Sequence, residues 1–551
     1  MNLVMRRSRI QDFRRTIETA YHLRFSQVYH RLKRALIKPT LRAGPPPPVR
    51  QIKRTVIPPA DRAPFMIGPV SFSMLGQSGE ISSSHNWNDI SRDKLWLYHC
   101  HYFEDLVARN SEVRKNWHQA LIKRWIDENP PGHGNGWEPY PLSLRISHWI
   151  LWVKMGNELS QSGQDSLAIQ IRWLIESVEW HILANHVVAN AKALILAGCW
   201  AGGDEGNSWL SQGLNLMEAQ IAEQVLPDGG HIERSPMYHC QVLNDLLDIH
   251  NGMISSGIPS PTWLLQSIKH MADWLVIMCH PDGDIALFND SAFGMTPSPQ
   301  ALAEYAQRLG IQWPNLPQNG AIWLEQTGYV RLQNDVAVIF CDAAPLGPDW
   351  QPGHGHADTL TWECSLFGQR VVVDSGTSSY AATNERLRQR GSAAHNTIMI
   401  DGHDSSEVWS AFRVARRARV YDASLSQVGL GFSASHDGYR KQGIGHRRIW
   451  SLSETGLEIN DYIDGDSTHR IESNMLFHPD ILLSDSDAKT ITVKHCSNSA
   501  CRLLVRSEQS MESVESTYHP RFGECAKTKK IQQKFHHALP LTIKTSLSWS
   551  H

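Results

Sequence analysis

Between about residues 92 and 310, apolar side chains recur every three to four positions in the segments 95–109, 117–127, 143–156, 166–183, 186–200, 208–225, 236–254 and 262–279. That is the period of helices with one buried face. The links between them are short and rich in Gly, Pro and Asp, so consecutive helices are expected to be antiparallel neighbours, in a bundle or a ring of helical hairpins. Near residue 320 the period changes to two, in 329–332, 336–340, 359–366, 370–373, 397–400, 448–452 and 491–493. Alternation of that kind predicts short strands, and the second half is expected to be an antiparallel β-sandwich. The chain therefore divides into a basic segment and spacer (1–50), a helical domain (51–318) and a β-sandwich domain (319–551). In the first 40 residues Ile17, Tyr21, Leu23, Phe25, Val28, Tyr29, Leu32 and Leu36 form a helical stripe. It is expected to dock on the domain behind it, with an anionic surface as the alternative. Gly44 and the four prolines after it make a stiff spacer.

One hairpin in the β half gathers chemistry. His354 and His356 stand two apart and would point to one side of an extended chain. Leu360, Trp362, Cys364 and Leu366 then alternate with Thr359, Thr361, Glu363 and Ser365, as in a half-buried strand. A turn at Phe367-Gly368-Gln369 returns the chain through three valines to Asp374, and His395 enters the strand 397–400. Three strand ends thus offer His, His, Asp and His, which are ligand types that zinc and related divalent metals take. The plainer alternative is that the histidines are polar loop residues and Asp374 caps a turn.

At 551 residues, 41% of them hydrophobic, the chain can bury a large core in two or three domains. Its formal net charge of −2 gives no global electrostatic case for nucleic acid. Twenty Trp and 28 His suit a site that stacks on sugar rings and binds their hydroxyls. Nine cysteines lie scattered with no CxxC pair, so neither a disulfide framework nor a cysteine zinc site is indicated. Arg6-Arg7 is not followed by the apolar run of an export signal, and no apolar stretch is long enough to span a membrane. A cytoplasmic location is expected, with the periplasm as the alternative; homo-oligomerisation is left open.

Two polar stretches interrupt the helical half. One is Ala184-Asn185-His186, at a junction of two helices. The other runs from Asp228 through Gly229-Gly230-His231-Ile232-Glu233-Arg234-Ser235-Pro236-Met237-Tyr238-His239, where Ser235 is a good N-cap with Pro at the first helical position. Tyr238 and His239 would sit in the first turn, near the positive end of the helix dipole. Together with His354-Gly-His356-Ala-Asp358, Val-Val-Asp374-Ser-Gly and Arg390-Gly-Ser-Ala-Ala-His395-Asn-Thr, these stretches resemble the heparinase II/III family of polysaccharide lyases, in matching order from about residue 60 onward.

The resemblance implies an (α/α) toroid followed by an antiparallel β-sandwich, and an enzyme that cuts uronic-acid-containing polysaccharide by β-elimination. It would put Asn185 on the uronate carboxylate, Tyr238 at the glycosidic oxygen, His354 beside the reacting carbon and His186 as a second helical histidine. It implies a structural zinc on His356, Asp374 and His395. Removing the weakly acidic C5 proton needs a neutralised carboxylate and a tuned acid–base pair. Tyr238 could serve as base if His239, Arg234 or the helix N-terminus lowered its pKa. Glu233, Arg234, His239, Tyr380, Arg386 and Arg390 are further candidates for binding an acidic poly- or oligosaccharide, the arginines by bidentate hydrogen bonds. Three other readings stay open: a polysaccharide-binding protein of surface-polysaccharide production, a glycoside hydrolase pairing Glu233 with Asp282 or Asp284, and a metal-dependent oxygenase.

Overall fold

The computed structural model describes residues 2–495 and 498–550, and side chains outside 2–11, 485, 486 and 498–502. Two helices, α1 (Asn2–Tyr21) and α2 (Phe25–Leu36), precede the helical half. That half contains α3 (Lys94–Tyr102), α4 (Lys115–Glu128), α5 (Pro139–Lys154), α6 (Gln161–Ser177), α7 (Asn185–Trp200), α8 (Gly203–Gln224), α9 (Pro236–Ser255), α10 (Thr262–Ile277) and α11 (Pro299–Arg308). A short α12 (Asn384–Arg390) lies within the β half.

The apolar pattern sorts these helices into two rings. α5, α7 and α9 bury 14 of 16, 15 of 16 and 17 of 20 residues, whereas α4, α6 and α8 bury 4 of 14, 6 of 17 and 7 of 22. A helix apolar all round must be enclosed, and one with a single stripe must face water on the other side. The first set therefore forms an inner wall, with α7 packed between α5 and α9, and the second set covers it. Polar groups in the inner wall are paired, as burial demands: Lys192 on α7 reaches Asp245 and Asp248 on α9 at 2.8 and 2.7 Å.

Two departures from the expected helices have a clear local cause. α3 ends early because Phe103 takes a left-handed conformation, φ 58°, and the chain continues as a 3-10 turn at Glu104–Val107. α11 arises from an unread signal, Ser298 capping Ala301 with Pro299 at the first position.

The β half begins at Gly320 with a five-stranded antiparallel meander ending at Val372. It packs against an eight-stranded sheet through Val330, Ile339, Trp362, Phe432, Trp450 and Leu547, and a four-stranded sheet includes Ile398–Ile400. The strand Trp362–Leu366 was expected to be half-buried, yet all five of its residues are buried. Its polar face is covered by the helical half, where His280 contacts both Glu363 and Ser365. The segment carrying His354 and His356 is a turn-rich loop rather than a strand.

Candidate functional site

A cleft of about 1010 Å³ opens where the inner helical wall meets the loops of the β half. Tyr98, Tyr140, Asn185, His186, Tyr238, Trp350, His354, Tyr380, Trp409 and Phe412 line it, with Arg31, Arg413 and Arg417 as cations at its walls.

Local backbone geometry aims the site residues. Leu183 and Ala184 have φ of 70° and 54°, so α7 starts abruptly and presents Asn185 and His186 in its first turn. Arg234 (57°) stands between Glu233 and Ser235, and Asn289 (58°) precedes Asp290. Each left-handed non-glycine costs roughly 1–3 kcal/mol, and such strain persists where the surroundings fix it, commonly at functional sites. Ser235 caps α9 as the sequence predicts, accepting from the Tyr238 N–H at 3.2 Å and donating to the Asp290 carbonyl at 2.7 Å. The helix that carries Tyr238 is thereby tied to Asp290.

His354 lies against Tyr238 with ring centroids 4.0 Å apart, and the Tyr238 hydroxyl is 3.0 Å from that of Tyr380. Nδ1 of His354 is 2.9 Å from Asp290, which fixes this nitrogen as the donor and directs Nε2 toward Glu233 at 3.5 Å. Glu233 is buried, and its other oxygen accepts from the Asn185 backbone and side-chain N–H groups at 3.0 and 2.8 Å. Burial pushes the Glu233 carboxyl up, but His354, His231 and the Asn185 donors outweigh this and hold it below its usual range. His186 is the one residue of α7 that is only partly buried. It stacks near Tyr140 at 4.6 Å and lies 3.2 Å from Glu179. Burial lowers its pKa, yet Glu179 more than compensates and raises it.

Tyr238 departs from one expectation. Burial and the neighbouring Tyr380 raise its phenol well above its ordinary value, so it holds its proton. The groups expected to lower it are engaged elsewhere. His239 bonds the Met271 carbonyl at 2.8 Å and stacks on Trp274. Arg234 donates to the carbonyls of Thr327, Ile232 and Gln326.

Arg386 and Arg390 were expected to meet substrate, but both lie fully buried beneath the cleft. Arg386 clamps both oxygens of Asp290, and Arg390 donates to the backbone carbonyls of Gly355, Ser410, Ala411 and Arg413. Of the paired carboxylates considered for hydrolysis, Asp282 is bound to Arg370, and neither it nor Asp284 lines this cleft.

Behind His354 lies a second arrangement. His356 Nδ1, Asp358 Oδ2 and His395 Nε2 are buried without hydrogen-bond partners, and the three residues each offer one ligand atom within 4.8 Å of the other two. The remaining ring nitrogens are held by carboxylates: His356 Nε2 by Asp290 at 2.9 Å and His395 Nδ1 by Asp374 at 2.7 Å. Ligating histidines are oriented in this way at metal sites. Burial disfavours charge on His395, but Asp374 and Asp358 raise its pKa to about 9, so the cradle favours a cation. A buried His/Asp/His group of this kind fits a metal ion. Of the expected set, His356 and His395 fall within the group; Asp358 completes it, and Asp374 stands behind His395.

Sequence reasoning missed Asp290, Glu179, Tyr140 and Phe412. Asp290 lies in Asn289-Asp290-Ser291 after a buried apolar run, a turn signal with no periodicity of its own.

The Heparinase II/III N-terminus profile matches residues 87–309, and the Heparinase II/III-like, C-terminal profile matches residues 317–550. FtsZ-localized protein C of Caulobacter vibrioides is 25% identical over 453 residues, 78% of this chain and 74% of that protein. A heparin-sulfate lyase of Bacteroides stercoris is 24% identical over 255 residues, 42% of this chain and 37% of that enzyme. The crystal structure of heparinase III superposes with a TM-score of 0.67 at 16% identity, covering 86% of this chain and 78% of that one. For a heparan sulfate lyase from Pedobacter heparinus the TM-score is 0.57 at 15% identity, covering 95% and 87%. These structural likenesses show a shared fold, a helical half followed by antiparallel sheets. With the two profiles spanning most of its length in order, the chain belongs to the heparinase II/III-like family.

Proposed function

We propose that the protein is a lyase that cleaves an acidic, uronate-containing polysaccharide by β-elimination. The observation that supports this best is the closely apposed Tyr238–His354 pair: a phenol held protonated beside an imidazole whose Nδ1 proton is fixed on Asp290. In this reading His354 Nε2 takes the C5 proton, the C4–O bond breaks, and the Tyr238 phenol protonates the departing oxygen while a C4–C5 double bond forms. Tyr380 backs the phenol through its hydroxyl. A phenolate base is not required, which suits the upward shift of Tyr238.

Negative charge developing on the C6 carboxylate needs neighbours already in place. Glu233 fixes the Asn185 amide and engages one of its two N–H bonds, leaving the other for the carboxylate. His186, whose pKa the neighbouring Glu179 raises, offers positive charge at the same helix end. His356, Asp358 and His395 would hold zinc, by donor type, and such an ion would pin the loops behind His354.

A second reading is a glycan-binding role without turnover, in an assembly such as the one named for the Caulobacter relative. In its favour, the match to that relative covers 78% of this chain, against 42% for the Bacteroides stercoris lyase. The test is a panel of uronate polymers, monitored by the ultraviolet absorbance of the unsaturated product. Turnover is expected, and Tyr238→Phe is expected to slow it by roughly 10²–10⁴ without loss of folding. Bound polymer with no absorbance change would overturn the lyase reading in favour of the second.

A further inference from the structure

The first 42 residues hold eleven Lys and Arg against two acidic residues, Asp12 and Glu18, in a chain whose net charge is −2. They precede the region matched by the family profiles, which begins at residue 87. α2 sits on the body in an inverted orientation. Its polar positions face inward: Arg24 pairs with Glu223, Gln27 bonds the carbonyls of Ile182 and Trp350, and Arg31 and Arg34 reach His181. α1 does likewise, with Arg14 and Arg15 on Glu407 and Thr19 on the Val414 carbonyl.

The apolar stripe expected to dock therefore faces outward. Phe25 is 85% exposed, Leu32 60% and Leu36 84%, all on one face of α2, and Tyr21 at the end of α1 is 85% exposed. An amphipathic helix ordinarily buries this face, and a contiguous apolar patch rimmed by cations marks an interaction surface.

We infer that this arm lies on an anionic lipid leaflet, with Phe25, Leu32 and Leu36 inserted at the headgroup level. α2 is 12 residues long, too short to span a bilayer, and its mixture of aromatic, aliphatic and basic residues is that of an interfacial helix. Charge complementarity selects the occupant: a second copy would bring the lysines not paired with the body against their own like charges, whereas an anionic leaflet attracts them. Lys33 and Lys38 are exposed and make no ion pair among the described residues, so they are free to meet headgroups.

The test is sedimentation of the full chain with vesicles of phosphatidylcholine alone and with about a third phosphatidylglycerol. Binding to the anionic vesicles, falling with added salt, is the expected result. Phe25→Ser combined with Leu32→Ser and Leu36→Ser is expected to weaken it by more than tenfold (~10×). Lys33→Glu with Lys38→Glu is expected to weaken it by roughly tenfold. Thermal unfolding of both variants should match the wild type, because these side chains touch little of the body. No binding at low salt, or binding indifferent to lipid charge and to both variants, would overturn the inference. So would a dimer in solution that the serine variant dissociates, since a second copy would then cover the face.

Discussion

On one side of Asp290, His354 faces an open cleft and lies against Tyr238; on the other, His356 turns into a sealed cradle with Asp358 and His395. Both histidines are anchored on the same carboxylate, two residues apart in sequence, yet their free nitrogens meet different surroundings. That of His354 lies in the cleft beside Glu233, where the proposed reaction calls for a proton acceptor. That of His356 points at two other orphaned ligand atoms, suited to an ion that stays. The contrast teaches that function here depends on what surrounds the imidazole rather than on the imidazole itself. Asp290 is the hinge of the arrangement, because burial pushes its carboxyl up while Arg386, His354 and His356 hold it well below its usual range.

The harshest way to break the contrast is to remove the shared carboxylate. Asp290→Ala leaves the buried Arg386 guanidinium without its partner, at a cost of roughly 3–5 kcal/mol. Denaturant unfolding should show that loss, with metal content and turnover falling together. A variant as stable as the wild type would mean that Asp290 does not join the two sites.

A milder break separates them. His395→Gln removes a buried cradle ligand behind the cleft and a chelator removes the ion itself, whereas Tyr238→Phe alters the cleft alone. Metal bound only to the folded state at a hundredfold excess over its Kd contributes about 2.7 kcal/mol. Metal removal should therefore lower the unfolding temperature, while Tyr238→Phe should leave it nearly unchanged and lower turnover. Equal thermal shifts for the two treatments would contradict a stabilising ion in the cradle.

The architecture was largely legible, since helix and strand periods are written directly in spacing, and an unbroken apolar run such as 193–200 is the mark of an enclosed helix. The capping of α9 by Ser235 was equally readable, being local chemistry. The site was legible only in part. His354, Tyr238, Asn185 and His186 do converge on one cleft. The loop at 353–358, however, was read as a strand, and without its true path two carboxylates, Asp358 and Asp374, compete for the same ligand place. Arg386 and Arg390 read as surface cations because nothing local shows that Asp290, nearly a hundred residues earlier, buries one of them. The arm does dock on the body, but through polar side chains and not its apolar stripe, because periodicity reveals a stripe and not which way it faces.

The smallest expected effect concerns the cation at the helix end. His186 has its pKa raised above the ordinary value near 6.5, so its bond with Glu179 stabilises the fold fully below that pH. The contribution is lost as pH rises through the raised value. Glu179 is shifted down from about 4.5, so its contribution is present above that pH and is lost as pH falls through the lowered value. The pair is therefore fully effective between roughly pH 4.5 and 6.5. Glu179→Gln should cost about 1 kcal/mol within this window and less above it. The same variant leaves His186 subject to burial alone, which lowers its pKa, so turnover should decline at a lower pH than in the wild type. If the stability difference between the two proteins were flat with pH while turnover shifted, the pair would act on substrate alone. If neither moved, the cation assigned to His186 would have to come from elsewhere, such as Arg31, Arg413 or Arg417 on the cleft wall.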